Sequence, residues 1–193
     1  MQRRSENTRA RLLASALNHF ALHGYDATSV EDICLGANVS KGAFYHHFES
    51  KQALFLSLLQ TWLTAIDDGF AAIGKSSVPD TLLAMTDILP AVLTAASDQL
   101  PMFLEFWLQA SRDEKVWKAS IEPYQHFREY FSNMVAKGIA EGTLRSVDPQ
   151  VSGRVILSMA IGLLLQAVLE PEEGNWARTA REGMQILMKG LAT

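Results

Sequence analysis

The stretch SVEDICLGANVSKGAFYHHFESK, residues 29–51, decides how the rest of the chain is interpreted. Ser29 and Asp32, three residues apart, form the capping-box pattern of a helix start. Asn38 tolerates the left-handed backbone that a sharp turn requires. Ser40 is well suited to cap a second helix. The stretch therefore predicts two short helices joined by a turn.

The second of these helices has two different faces. Phe44 and Phe48 lie four residues apart and follow Val39, which predicts a buried stripe. The opposite face carries a cation, a glycine, a phenol and imidazoles, and these groups suit phosphates and base edges. Two helices arranged in this way can place the second in a major groove. A helical hairpin with a polar outer face is the alternative.

The amino-acid sequence of this stretch resembles the signature of the tetracycline-repressor (TetR) family of bacterial regulators. The resemblance lies in TSVEDI at 28–33 and ANVSKGAFYHHFESKQALF at 37–55, and runs from about residue 9 to residue 56. Cys34 and Asn38 stand where the family usually has alanine and glycine. The resemblance implies an all-α homodimeric repressor that binds a palindromic operator through its N-terminal domains and a small inducer through its C-terminal domains.

Two arguments select the residues expected to contact DNA: the polar face of the second helix and the family resemblance. The family usually places a phosphate-binding lysine at the position of Lys51, and Arg4 and Thr8 are candidates for contact with the DNA backbone. The residues that we expect to contact a double-stranded DNA operator are Ser29, Ser40, Lys41, Gly42, Ala43, Tyr45, His46, His47 and Lys51.

Composition agrees with a globular protein that binds DNA through its N-terminal region. The chain has 193 residues, of which 48% are hydrophobic, enough for a substantial core. Its net charge is −4, but residues 1–51 hold six lysines and arginines against five acidic residues, so this region is +1 and the rest −5. A single cysteine, Cys34, excludes an intramolecular disulfide and is expected to be a small buried side chain, with redox sensing as the alternative.

Neither the longest apolar run nor the N-terminal segment predicts a membrane segment. The longest apolar run, 155–169, is interrupted by Ser158, Gly162 and Gln166 and is shorter than the ~20 residues of a bilayer span. The N-terminal residues are basic but lack the apolar core of a signal peptide. We expect a cytoplasmic protein.

Apolar periodicity predicts an all-α fold with two domains. Together with the family resemblance, this pattern leads us to expect a three-helix helix-turn-helix DNA-binding domain in residues 1–50 and a helical ligand-binding and dimerisation domain in residues 51–193. Pro90 should bend or interrupt the helix that resumes near Asp80, and a helix should start at Pro101. The other helices predicted for the second domain are 51–73, 121–141, 149–170 and 175–191.

The last two predicted helices, about 149–170 and 175–191, are assigned to a homodimer interface. The run 155–169 is apolar around its whole circumference, which suggests that a partner subunit covers one side. Ser158 and Gly162, four residues apart, could allow close helix approach. Alternatively, these helices line the core of a single subunit.

Large apolar side chains from several helices could enclose a small hydrophobic or aromatic inducer. Flexible methionines would let such a pocket accept several shapes, but each side chain alone could equally be core. The residues assigned to this ligand site are Trp62, Ile66, Met85, Phe103, Trp107, Phe127, Phe131, Met134 and Met159.

No catalytic, metal or cofactor site is expected. His19 and His23 have a spacing that zinc can use, but no nearby acid or cysteine completes the set. The sequence has no Gly-rich phosphate loop, HExxH or GxSxG motif. The competing functions are a helical small-molecule-binding module without DNA activity and, less favoured, an enzyme with an apolar site.

Overall fold

A computed structural model describes the backbone of residues 2–74, 76–96, 104, 108, 111, 114–170, 172 and 174–192. Side chains are described for the same residues except 2–4, 93–96, 115, 116, 119 and 120. Every regular element in this part of the chain is helical, which confirms the predicted all-α fold.

The chain divides into two units. One comprises Met1–Thr64 and Asp98–Ile121, and the other comprises Ala65–Ser97 and Glu122–Thr193. The predicted domain boundary after residue 50 lies inside the first unit and stays a prediction.

Four helices begin in the N-terminal part of the chain: α1 (Gln2–His23), α2 (Val30–Ala37), α3 (Lys41–His47) and α4 (Lys51–Ala71). Left-handed backbone ends the first at Gly24, with φ 80°, and the second at Asn38, with φ 51°. Ser50 caps α4 by accepting a 3.0 Å hydrogen bond from the Ala53 N–H. The predicted helix 51–73 thus ends two residues early, at Ala71.

Side chains from all four helices pack into one core in the first unit. Phe20, Phe44 and Phe55 are no more than 1% exposed, and burial of each such side chain contributes roughly 1.5–3 kcal/mol. The other buried apolar residues of this core are Leu12, Ala16, Tyr25, Ile33, Cys34, Ala37, Phe48, Leu54, Leu58 and Leu59.

The helices that follow are α5 (Val78–Met85), a 3-10 turn (Thr86–Ile88), α6 (Leu89–Ala96), α7 (Glu114–Ala140), α8 (Pro149–Leu169) and α9 (Trp176–Leu191). Asp148 caps α8 by accepting hydrogen bonds from the Gln150 and Val151 N–H groups. Asn175 likewise caps α9 by accepting one from the Arg178 N–H.

Two further helix boundaries differ from the prediction. The helix expected from Asp80 starts at Val78, with Ser77 as its cap. The predicted interruption near Pro90 is confirmed: the 3-10 turn Thr86–Ile88 separates α5 from α6, and Pro90 is the second residue of α6. The helix expected at 121 begins seven residues earlier, at Glu114. The helix expected from Pro101 lies outside the described residues, apart from isolated positions.

Helix α8 has one side packed in the protein and one side exposed. A Cβ at Gly153 would lie 2.5 Å from Ser132 Oγ and 2.6 Å from the Ser132 backbone nitrogen, so α8 approaches α7 closely there. The exposed apolar side chains of α8 are Val151, Val155, Ile161, Leu165 and Leu169, at 36–69% of their area. By length and composition alone this helix could cross a membrane, and 22% of its most apolar window is buried in the subunit.

Candidate nucleic-acid interface

The turn between α2 and α3 is held by local hydrogen bonds. Ser29 Oγ accepts from the Asp32 N–H at 3.1 Å, and the Asp32 carboxylate accepts from the Ser29 N–H at 2.9 Å, which confirms the capping box. The Ser29 hydroxyl and the Ser29 N–H, which both donate to the Asp32 carboxylate, hold the pKa of Asp32 below its usual value. Ser40 Oγ accepts from the Ala43 N–H at 3.2 Å and starts α3. The predicted helix–turn–helix is therefore present.

Arg11 of α1 stabilises the turn between α2 and α3 by hydrogen bonds to its backbone. Its Nη2 donates to the carbonyl oxygens of Ala37 and Asn38, the second at 2.9 Å. These carbonyls lie at the C-terminus of α2, where helical carbonyls lack internal partners and attract cations. Arg11 therefore fixes the direction in which the chain leaves α2 and enters α3.

Helix α1 also approaches α2 closely along its length. The buried Ser15 Oγ donates to the Ile33 carbonyl at 2.9 Å. A Cβ at Gly36 would lie 2.5 Å from Ser15 Oγ and 2.9 Å from His19 Nε2. Glycine at this position permits the contact, so α2 packs tightly against α1.

The two faces of α3 are as the sequence predicts. Phe44 is fully buried and Phe48, directly after the helix, is 4% exposed. Tyr45 on the other face is 57% exposed. Ser40, Lys41, Gly42 and His46 are also exposed, and Ala43 and His47 are partly exposed. In the first unit, a continuous polar surface is thus presented by a helix fixed from behind.

A salt bridge links this surface to α2. Lys41 Nζ lies 2.7 Å from Glu31 Oε2, and both side chains are more than half exposed. The hydrogen bond to Glu31 raises the pKa of Lys41 above its ordinary value. The lysine is therefore fully charged at neutral pH, but a carboxylate accompanies it.

Two histidines, His46 and His47, lie at the C-terminal end of α3. The His46 and His47 rings lie 5.1 Å apart, and the Arg9 guanidinium lies 5.3 Å from the centre of the Phe48 ring. Partial burial lowers the pKa of His47, with His46 and Arg9 adding to the effect. His47 is thus mainly neutral near pH 7, but it can be protonated beside an anion.

A polar groove runs along the start of α3. It has a volume of about 700 Å³ and brings residues of α1 next to the α2–α3 turn. Its lining residues are Asn7, Thr8, Arg11, Asn38, Val39, Ser40 and Ala43. Hydroxyl, amide and guanidinium groups of this kind commonly bind phosphate oxygens in DNA complexes.

The polar atoms of Ser29 and Lys51, like those of Ser40 and Lys41, already have protein partners. Ser29 forms the capping box, and its Oγ also donates to the Asp32 carboxylate at 2.6 Å. Lys51 Nζ donates to backbone carbonyls of Tyr25 and Thr28. Their contact with DNA stays a prediction.

The candidate ligand residues are distributed over both units. Trp62 belongs to the first unit, whereas Ile66, Met85, Phe127, Phe131, Met134 and Met159 belong to the second. Phe127 and Phe131 are buried and pack against Phe70, with ring centres 6.2 and 6.0 Å apart. Phe103 and Trp107 lie outside the described residues. The ligand site therefore stays a prediction.

The described part of the chain has no group of three or more histidine, cysteine or acidic residues that could hold a metal ion. His19 and His23 lie with ring centres 5.9 Å apart on α1. Since one pair of imidazoles leaves a tetrahedral zinc ion two ligands short, this observation gives no support to a zinc site.

Sequence patterns did not identify Arg11, Thr28 and Glu31 as functional residues. Arg11 donates to carbonyls 26 and 27 positions away, and Glu31 pairs with a lysine 10 positions away. Periodicity and capping rules describe contacts within about four residues, so these contacts give no local signal.

A short helix, a tight turn and a following helix with an exposed polar face, as in α2 and α3, are typical of helix-turn-helix DNA-binding proteins. Residues 12–58 match the model of bacterial regulatory proteins of the tetR family, and residues 80–192 match the model of the BetI-type transcriptional repressor C-terminal region. The chain belongs to the tetR family of transcriptional regulators.

Individual relatives are similar over nearly their whole lengths. The uncharacterized HTH-type transcriptional regulator YfiR of Bacillus subtilis is 27% identical over 190 residues, covering 95% of this chain and 91% of its own. The structure of Salmonella enterica GusR is 25% identical with a TM-score of 0.75, covering 94% and 95%. A putative transcriptional regulator from Saccharomonospora viridis in complex with choline shares the fold, with 19% identity, a TM-score of 0.76 and coverage of 96% and 97%.

Proposed function

We propose that this regulator is a ligand-responsive repressor that binds a palindromic operator as a homodimer and is released by a small inducer. The observation that carries the proposal is the pair of faces on α3: Phe44 is fully buried, whereas Tyr45 is 57% exposed. A helix held so firmly from behind can enter a major groove without reorganising.

In this proposal the front of α3 supplies the DNA contacts. Tyr45 and His46 reach base edges or phosphates, Lys41 neutralises a phosphate, and Gly42 and Ala43 allow the helix to approach the backbone closely. The groove beside Ser40 accepts the phosphates that flank the reading helix.

The exposed stripe of α8 supports a homodimer. Val155, Ile161 and Leu165 are at least 36% exposed within the single subunit, and contiguous exposed apolar surface marks an interface. Arg154 and Gln166 are exposed on the same helix, which favours a protein partner over lipid. A dimer places two reading helices about 34–36 Å apart, one turn of DNA.

The inducer is proposed to bind in the C-terminal region, among the apolar side chains assigned above. A structural neighbour holds choline, which supports a small-molecule site in this fold. A ligand that prefers the splayed dimer needs only about 1–3 kcal/mol of coupling free energy to release the operator.

The test compares Tyr45→Ala with Tyr124→Ala, a matched control at a tyrosine of α7 that is 37% exposed. Binding to a duplex enriched from random sequence is measured by fluorescence anisotropy. We expect Tyr45→Ala to weaken binding about tenfold, and Tyr124→Ala to leave it unchanged. Thermal unfolding should be unaltered in both. Equal affinity of the two variants would remove α3 from the DNA interface.

A further inference from the structure

Lys51, the first residue of α4, directs its ammonium group onto the loop between α1 and α2. Its Nζ donates to the Tyr25 carbonyl at 2.7 Å and to the Thr28 carbonyl at 2.8 Å, with the Asp26 carbonyl at 3.5 Å. An ammonium has three protons to donate, and three backbone oxygens surround this one.

The same ammonium is also held by an aromatic ring. Lys51 Nζ lies 4.3 Å from the centre of the Tyr25 ring, within the range of a cation–π interaction. Tyr25 is 5% exposed and packs against Phe20 and Phe55 with ring centres 5.3 and 5.4 Å apart. Burial raises the pKa of Tyr25 to about 12, so its ring is neutral at physiological pH. The lysine therefore rests on a fixed part of the core.

The loop that Lys51 grips leads directly into the helix–turn–helix. Thr28 is 2% exposed, and its Oγ1 donates to the carbonyls of Gly24 at 2.8 Å and His19 at 3.2 Å. Ser29, the next residue, caps α2. The loop is thus tied to the end of α1 through Thr28 and to the start of α4 through Lys51.

We propose that Lys51 is a positioning residue, which fastens the first turn of α4 to the loop that starts the helix–turn–helix. This inference rests on the proposed function and changes the role that the family resemblance implied for this lysine. To reach a phosphate, Lys51 must give up charge-assisted hydrogen bonds and leave partly buried carbonyls without them. Its effect on DNA binding therefore passes through the position of α2 and α3.

The salt dependence of operator affinity distinguishes a positioning role of Lys51 from direct contact with a phosphate. Lys51→Met keeps most of the apolar stem and removes the ammonium; Lys41→Met is the matched control for a lysine on the DNA-facing helix. For Lys51→Met we expect operator affinity to fall about tenfold with the wild-type slope of log affinity against log salt. For Lys41→Met we expect the slope to decrease by about one unit. A decrease of one unit in Lys51→Met would show a phosphate contact and overturn the proposal.

Amide hydrogen exchange tests whether Lys51 stabilises the loop between α1 and α2. It needs no DNA, so it remains decisive even if the protein binds no operator. Lys51→Met should increase exchange at residues 25–32 about tenfold, whereas Lys41→Met should leave that segment unchanged. Exchange at wild-type rates in Lys51→Met would overturn the proposal.

Acetylation footprinting of the wild-type protein requires no variant to fold. The Lys51 amine should react slowly in the free protein and equally slowly after DNA is added, whereas Lys41 should become protected only in the complex. A Lys51 amine that is reactive in the free protein and protected by DNA would contradict the positioning role.

Discussion

Glu31 of α2 and Lys41 of α3 form a salt bridge of 2.7 Å across the helix–turn–helix. The carboxylate faces the same solvent region as the lysine that we assign to a phosphate. Lys41 must therefore exchange this partner for DNA, or bind DNA with a negative charge beside it. In either case we expect Glu31 to limit operator affinity.

Glu31→Gln is expected to tighten operator binding about two- to fivefold, because it removes repulsion between the carboxylate and DNA. The slope of log affinity against log salt should steepen by up to about one unit. Glu141→Gln, which breaks an exposed ion pair with Lys137 in the second unit, is the control with the same change in net charge. Weaker binding by Glu31→Gln alone would show instead that Glu31 orients Lys41 productively.

Ile161→Glu is expected to give a monomer. Ile161 is 43% exposed in the single subunit, and a buried unpaired carboxylate prevents association of an apolar interface. Sedimentation should report about 21.3 kDa for this variant and twice that mass for the wild type. Leu22→Glu, at a 77% exposed leucine of α1, should stay dimeric. An intact Ile161→Glu dimer would place the interface elsewhere.

Operator binding is expected to take up protons. The pKa of His47 is lowered in the free protein, and a nearby phosphate favours the charged imidazolium and raises that pKa again. Affinity should therefore increase as the pH falls from about 8 to about 6. Calorimetry in buffers of different ionisation enthalpy measures the uptake. His47→Gln should reduce it and His23→Gln should not; equal uptake in both variants would exclude His47 from the interface.

Cys34 is expected to be unreactive in the folded protein. It is 4% exposed, and burial raises the pKa of its thiol, which lowers the thiolate fraction that attacks disulfide reagents. Ellman's reagent should modify the native protein at least about a hundredfold more slowly than the denatured protein. Rapid modification of the native protein would support redox sensing, the alternative that the sequence leaves open.

The elements that could be predicted from sequence are those fixed by neighbouring residues. The caps at Ser29, Ser40, Asp148 and Asn175 bond to N–H groups two or three residues away, so their patterns are visible in the sequence. The left-handed turn at Asn38 was predicted for the same reason. The faces of α3 follow from helical periodicity alone.

Other features depend on distant residues or on solvent exposure. The carbonyl contacts of Arg11 and Lys51 span 23 to 27 positions, so no local pattern reveals them. The early start of α7 was missed because its first residues are charged. Glu114 and Lys118 form an exposed pair of 2.8 Å one turn apart, which supports a helix without an apolar stripe.

Selection of bound fragments from random DNA duplexes tests the central claim, that a dimer presents two α3 helices to successive major grooves. We predict enrichment of an inverted repeat whose half-site centres lie about 10 base pairs apart, and weaker enrichment with Tyr45→Ala. Absence of any enriched sequence, or enrichment of a site without two-fold symmetry, would contradict the account.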